Sequence, residues 1–227
     1  MPVKTWIGSE LNPLDGLFTL NEACLSEIGN AVSLIRDNPL PLLMLRPSNF
    51  HMPKCKELIN TVFDCLENGF GFCLLDRLPL EDMTDNEAKS IYWLLSQMLG
   101  RPVAQKWCDG RMLYSVTDLG RPSGNGVRPD VTNEEQSFHT DNSYNICPPN
   151  IVGLLCLQPS MSGGLSRVVN MKTVLERMET SNKTHIKRLY RPFVFDRQKE
   201  HSELDPVTLE NPILNCNGES LRIRVSR

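Results

Sequence analysis

Apolar residues along this chain recur with two different periods, and each period predicts a different kind of element. Within residues 53–67, Leu58, Ile59, Val62, Phe63 and Leu66 stand three and four positions apart, the spacing of one helix face. Gly69-Phe70-Gly71-Phe72 ends that helix with backbone that can leave the helical region. A second helix begins at Thr84, where Glu87 completes a capping box, and Ala88, Ile91, Leu94, Leu95 and Met98 form its inner stripe up to Gly100. Helical spacing returns at 174–178 and 184–190. Short apolar runs bounded by turn residues predict strands at 40–46, 72–75, 111–117, 151–157 and 166–169, the last two joined through Gly163-Gly164. Beyond them the chain closes with 192–195, an acidic loop over 200–210, and strands at 213–215 and 221–225. The Gly-, Pro- and Asn-rich stretch over 119–135 predicts a surface connector. Residues 1–39 form an N-terminal segment and 40–227 one domain. Two early helices followed by many short strands predict a mainly β fold, a jelly roll with helices packed outside it.

The connector leads into Ser137-Phe138-His139-Thr140-Asp141-Asn142-Ser143-Tyr144-Asn145, followed by Pro148-Pro149. In an extended strand side chains alternate, so His139 and Asp141 face one way and Phe138 and Thr140 the other. One imidazole nitrogen and one carboxylate oxygen then meet a single metal ion beside the strand. A catalytic divalent ion wants roughly three protein ligands with positions left open, and two His with one carboxylate on one face is the set used by non-haem Fe(II) oxygenases. A structural ion, or a plain hydrogen bond between the two side chains, uses the same His-x-Asp tripeptide. Downstream there are only His185, in a basic helical segment, and His201, in an acidic loop. Neither sits in a strand with an Arg behind it.

Charge and composition narrow the field. A net charge of -3 gives no global basic field for nucleic acid or an anionic membrane, and Lys183, Lys187, Arg188, Arg191, Arg197 and Lys199 read as a solvated face. No signal-peptide core follows Met1, and the longest apolar runs are too short to span a bilayer. The 8 Cys include no Cys-x-x-Cys pair and sit mostly among apolar neighbours, which predicts buried, reduced thiols in a cytoplasmic protein.

Several ordered motifs resemble one enzyme family. Gly69-Phe70-Gly71-Phe72-Cys73-Leu74-Leu75 with Leu78-Pro79, and Leu99-Gly100-Arg101-Pro102-Val103-Ala104-Gln105, look like the N-terminal half of taurine-dioxygenase-like Fe(II)/2-oxoglutarate-dependent dioxygenases. Phe138-His139-Thr140-Asp141, Val152-Gly153-Leu154-Leu155-Cys156 and Ser162-Gly163-Gly164-Leu165-Ser166 are similar to their first metal-binding region. Leu189-Tyr190-Arg191-Pro192-Phe193-Val194-Phe195-Asp196-Arg197 resembles a segment after it. The resemblance implies a double-stranded β-helix that binds Fe(II) and 2-oxoglutarate. With dioxygen, such a protein oxidises a small organic substrate while 2-oxoglutarate is decarboxylated to succinate.

By the same resemblance His139 and Asp141 are the first two iron ligands, and Ser166 stands where a Thr hydroxyl bonds a 2-oxoglutarate carboxylate. Asn142 and Tyr144 lie where they could face substrate, although Tyr144 also suits a core aromatic with its hydroxyl at the rim. The family pattern continues with a second His and an Arg that pairs with 2-oxoglutarate, and this chain reaches Arg227 without them. The expectation is therefore a dioxygenase domain lacking its C-terminal strands. An inactive or non-catalytic metal-binding member of the fold, or a subunit completed by a partner such as a second copy, fits the same residues.

Overall fold

The structure is a computed structural model that describes residues 4–106, 108–122, 127, 129–217 and 220–226. It divides into two compact units, one running to Pro102 and taking in Gly153–Met161, the other comprising Val103–Val152 and the chain from Ser162.

In the first unit, strand β1 (Leu17–Phe18) precedes helix α1 (Glu22–Asp37), helix α2 (Pro53–Asn68), strand β2 (Leu74–Leu75) and helix α3 (Asp85–Leu99). The Asn21 Oδ1 accepts from the Cys24 backbone N–H at 2.9 Å and starts α1. Cys24, Ile28, Ala31, Val32 and Ile35 form its buried face. That spacing is helical, yet residues 1–39 had no element assigned from the sequence. Helix α2 has Pro53 at its first turn and no side-chain cap of its own. Glu27 of α1 supplies one, accepting from the backbone N–H groups of Lys54 and Cys55 at 2.9 Å each. Burial works against the charge, but these bonds hold the Glu27 carboxyl below its ordinary pKa.

Helix α3 carries the capping box expected at Thr84 and Glu87 and ends at Gly100. Glu87 also takes both ends of the Arg36 guanidinium, Nε at 2.5 Å and Nη2 at 3.1 Å. With its Oε2 accepting from the Thr84 backbone N–H at 2.7 Å, one carboxylate joins α1 to the start of α3. Ile28, Ile91 and Leu94 are fully buried in this three-helix core. Each such side chain contributes roughly 1.5–3 kcal/mol on leaving water.

The apolar run at 40–46 is not a strand. Leu42–Met44 is a short 3-10 helix, because no neighbouring strand offers its backbone a ladder. Its Leu45 carbonyl is covered instead by the Trp93 indole N–H at 3.2 Å and the Gln97 amide at 3.0 Å. Strand β2 pairs in parallel with β1, Leu17 with Leu74 and Phe18 with Leu75, and Leu74 is exposed where a buried strand was expected. Gly16 has φ +74° before β1, and a Cβ there would sit 2.9 Å from the Phe72 ring.

The second unit contains helix α4 (Met171–Ser181), helix α5 (Lys183–Leu189) and strands β3 (Pro192–Asp196), β4 (Thr208–Pro212), β5 (Leu214–Asn217) and β6 (Ser220–Ile223). Asn170 caps α4 by accepting from the Thr173 backbone N–H at 2.9 Å. β3 pairs antiparallel with β4, Phe195 opposite Leu209, and β5 antiparallel with β6, Leu214 opposite Ile223. Arg197 braces the loop between β3 and β4 through the Glu200 and Pro206 carbonyls, and Arg188 lies 3.7 Å from the centre of the Phe193 ring. Two residues of the supposed solvated basic face therefore have local structural partners.

A jelly roll is not clearly formed among the described residues: the strands form three separate two-stranded pairs, and 111–117, 137–145, 151–157 and 166–169 are turns, bends and extended coil. Their backbone groups find no ladder, so β-prone side chains gain nothing from the extended form. Leu154 stays 78% exposed and Leu165 88%. The connector at 119–135 has the irregular form expected where it is described, with a short 3-10 turn at Pro129–Val131, while its residues 123–126 and 128, like Arg227, lie outside the described residues.

The thiols also depart from expectation. Cys24 and Cys55 are buried, but Cys108, Cys147, Cys156 and Cys216 are exposed. Burial pushes the Cys55 thiol well up, which keeps it protonated and unreactive. No described helix is long and apolar enough to cross a membrane.

Candidate metal centre

His139 and Asp141 face the same side, as alternation predicts, although their segment forms no ladder strand. The imidazole Nε2 lies 3.3 Å from the Asp141 Oδ1, with both side chains partly exposed, 37% and 46%. The other ring nitrogen, Nδ1, is 2.8 Å from the Ser137 carbonyl. A carbonyl only accepts, so Nδ1 carries a proton, which leaves Nε2 facing the carboxylate as the nitrogen that could ligate a metal ion. Two ligands bound at about 2.1 Å and at right angles to one another would be about 3 Å apart, so this donor pair fits one ion.

The backbone between them is held from the far end of the chain. The Thr140 N–H donates to the Val225 carbonyl at 2.9 Å, and the Val225 N–H donates to the Thr140 hydroxyl at 3.0 Å. This pairing, separated by many residues, pins the one residue that lies between the two candidate ligands. Nothing in the local sequence marks it.

The other expected residues divide. Asn142 stands beside the pair in a left-handed turn at φ 49°, its Oδ1 accepting from the Tyr144 hydroxyl at 3.1 Å. Tyr144 is buried, and its carbonyl accepts from the Asn211 amide at 3.0 Å. Its hydroxyl is satisfied inside the chain by Asn142. Ser166 is exposed in coil, and no hydrogen bond of its hydroxyl is formed among the described residues. Its neighbour Arg167 pairs with Glu135 and lies 5.7 Å from the centre of the Phe138 ring, so that segment runs beside the approach to His139.

No third donor joins the pair. Among the described residues there is no group of three His, Cys, Asp or Glu side chains placed to share an ion. His185 lies in α5, and the His201 Nδ1 meets the Ser202 carbonyl at 2.8 Å.

One further cation near this segment was assigned no role from the sequence, which expects the 2-oxoglutarate Arg only after a second His. Arg224 is only 1% exposed, and its Nη2 donates to the carbonyls of Asn145 at 3.3 Å and Ile146 at 3.0 Å. Its Nε and Nη1 find no partner among the described residues. Burial, with Arg222 beside it, draws its pKa below the ordinary arginine value. The alternation of Leu221, Ile223 and Val225 with Arg222 and Arg224 was the one available signal, and it reads equally as a strand with a solvated face.

Comparison with known proteins points to one family. A family profile described as "Taurine catabolism dioxygenase TauD, TfdA family" matches residues 37–217. FR-33289 synthase of Streptomyces rubellomurinus (strain ATCC 31215) is 25% identical over 209 residues, covering 91% of this chain and 60% of that protein. The chain thus spans about 60% of the length of the curated relative it matches.

Proposed function

The chain belongs to the taurine catabolism dioxygenase TauD, TfdA family, and we propose that His139 and Asp141 are two of the protein ligands to the Fe(II) of a 2-oxoglutarate-dependent dioxygenase acting on a small organic substrate. The observation that carries this is the His139 Nε2 held 3.3 Å from the Asp141 carboxylate while Nδ1 lies 2.8 Å from the Ser137 carbonyl. When bound with 2-oxoglutarate, iron in such enzymes supplies the oxidation of an unactivated C–H bond by dioxygen. The chain's own part is to keep the imidazole in the ligating tautomer and to hold Asp141 on the same side. The Thr140–Val225 bonds fix the backbone that does so.

The test is anaerobic Fe(II) titration with 2-oxoglutarate, following the weak visible charge-transfer band of the chelated cofactor and, separately, metal affinity by calorimetry. Binding in the wild-type chain that falls at least tenfold in both His139→Ala and Asp141→Ala is the expected result. Equal affinity in wild type and both variants would exclude these residues as ligands. The lack of a third donor among the described residues favours a second reading, in which the pair forms part of a site completed by another polypeptide. In that case metal affinity is weak in the isolated chain and rises with the partner, since ligand number and geometry set affinity.

A further inference from the structure

The Lys106 ammonium stands where three segments far apart in sequence meet. Its Nζ lies 3.3 Å from the Glu200 Oε1, 3.8 Å from the Asp130 Oδ2 and 4.2 Å from the centre of the Tyr114 ring. The side chains of Lys106, Asp130 and Glu200 are only 12%, 17% and 13% exposed. An exposed ion pair holds little, because water screens it and two long side chains must be ordered to form it. A cation shared by two carboxylates and an aromatic face, with little water around it, attracts each more strongly. Removing the central cation of such a group is costly, because the charges that faced it stay behind.

Two of the three segments are closed on themselves. The Lys106 carbonyl accepts from the Gly110 N–H at 3.1 Å, and the Gln105 N–H donates to the Arg111 carbonyl at 2.7 Å, so the ammonium springs from a closed turn. In the loop between β3 and β4, the Glu200 N–H donates to the Arg197 carbonyl at 2.8 Å and the Glu200 carbonyl accepts from the Arg197 guanidinium at 3.2 Å. Asp130 is placed differently. It belongs to the 3-10 turn Pro129–Val131, and the chain beyond it, 132–137, is bends and coil leading to the Ser137 carbonyl that meets the His139 Nδ1. The ties that reach this run from elsewhere include the exposed Glu135–Arg167 pair and the Leu119 N–H, which donates to the Val131 carbonyl at 3.1 Å. Lys106 adds an enclosed charge to them.

Resting on the dioxygenase reading above, we propose that Lys106 is a positioning residue for the metal centre, fixing through Asp130 the start of the run that brings the Ser137 carbonyl to His139. Asp130 precedes Ser137 by seven residues and His139 by nine. Coil without ladder bonds keeps its direction only where its ends are fixed, so release at Asp130 widens the range of positions open to Ser137. The imidazole it orients then spends less time in the ligating arrangement. Apparent metal affinity falls in proportion to that share, with no ligand removed.

The experiment pairs backbone hydrogen exchange over 129–139 in the metal-free full chain with anaerobic Fe(II) affinity by calorimetry. Lys106→Met keeps the stem and removes the charge, and Asp130→Asn removes the anion it holds. Each should speed exchange over 129–139 by about tenfold and weaken Fe(II) binding by about three- to tenfold. The double variant should lose no more than either single one, since both remove the same contact. Lys106→Arg, which keeps a cation between the carboxylates, should recover most of both losses. Glu200→Gln frees only the β3–β4 side and should leave Fe(II) affinity within about twofold. A lysine that merely stabilised the fold would not separate Asp130 from Glu200 in this way. Unchanged exchange in both Lys106→Met and Asp130→Asn, additive losses in the double variant, or an equal loss of affinity in Glu200→Gln would overturn the proposal. Should Lys106→Met not fold, Asp130→Asn and Lys106→Arg decide it. Fe(II) affinity that is absent in wild type, or unchanged in His139→Ala and Asp141→Ala, would sink the dioxygenase reading instead, and exchange would still decide whether Lys106 holds the run.

Discussion

Helix α3 and the stretch over 151–169 are both rich in large apolar side chains, and they meet opposite ends. Ile91 and Leu94 are fully buried, whereas Leu154, Met161 and Leu165 are almost wholly in solvent. A helix satisfies its own backbone N–H and C=O groups, so an apolar stripe needs only another apolar face to become core. A strand must first find a neighbour for its ladder, and until then its side chains have no surface to pack on. The same hydrophobic content is therefore self-sufficient in one region and dependent on distant chain in the other.

The sharpest way to break this contrast is to remove packing where it exists. Leu94→Ala should destabilise the helical unit by about 2–5 kcal/mol in urea unfolding, the range for a cavity in a closed core. A loss under about 1 kcal/mol would mean that the three helices are less tightly packed than their burial indicates. Gly16→Ala should cost roughly 1–2 kcal/mol by the same measurement, since φ +74° disfavours any Cβ and the Phe72 ring stands in its way.

Acid should expose a further difference. The Arg36 hydrogen bonds, with those from Thr84, hold the Glu87 carboxyl down at about 2 against an ordinary value of 4.5. Because the folded value lies below the unfolded one, this contribution is complete above about pH 4.5 and fades as pH falls toward about 2. Glu87→Gln should flatten that part of the stability-versus-pH curve, and an unchanged acid limb would show that the carboxylate is not coupled to folding. The smallest effect is expected at Leu154→Ala, within about 0.5 kcal/mol, since the side chain buries little. A loss as large as that of Leu94→Ala would show that 151–157 packs as the strand its pattern suggested.

Legibility followed the range of the interactions. α2, the capping box of α3, Gly100, α4 and α5 were readable because spacing, caps and stops act within a few residues. α1 was equally readable from Cys24, Ile28, Val32 and Ile35, and its omission was a missed period rather than a missing signal. His139 and Asp141 were singled out by alternation, and the two side chains do meet, 3.3 Å apart, although their segment forms no strand. The strands at 111–117, 151–157 and 166–169 were misread because alternation and β-branching describe a surface that fits a sheet without supplying one. Tyr144 was left between two roles, and the fold buries it with its hydroxyl bonded to Asn142.

Taken alone, the order of residues determined the helices, their caps and stops, the His-x-Asp pair and the motifs that resemble the family. Those features depend on contacts three or four positions apart, or on residue identity itself. Tertiary structure alone decided that Glu27 caps a helix other than its own, that Arg36 and Glu87 join α1 to α3, that Thr140 is bonded to Val225, and that Arg224 is buried against the Asn145 and Ile146 carbonyls. Each of these joins residues far apart in sequence, and a charge or a cap is valued by the partner that folding brings to it, which no local pattern encodes.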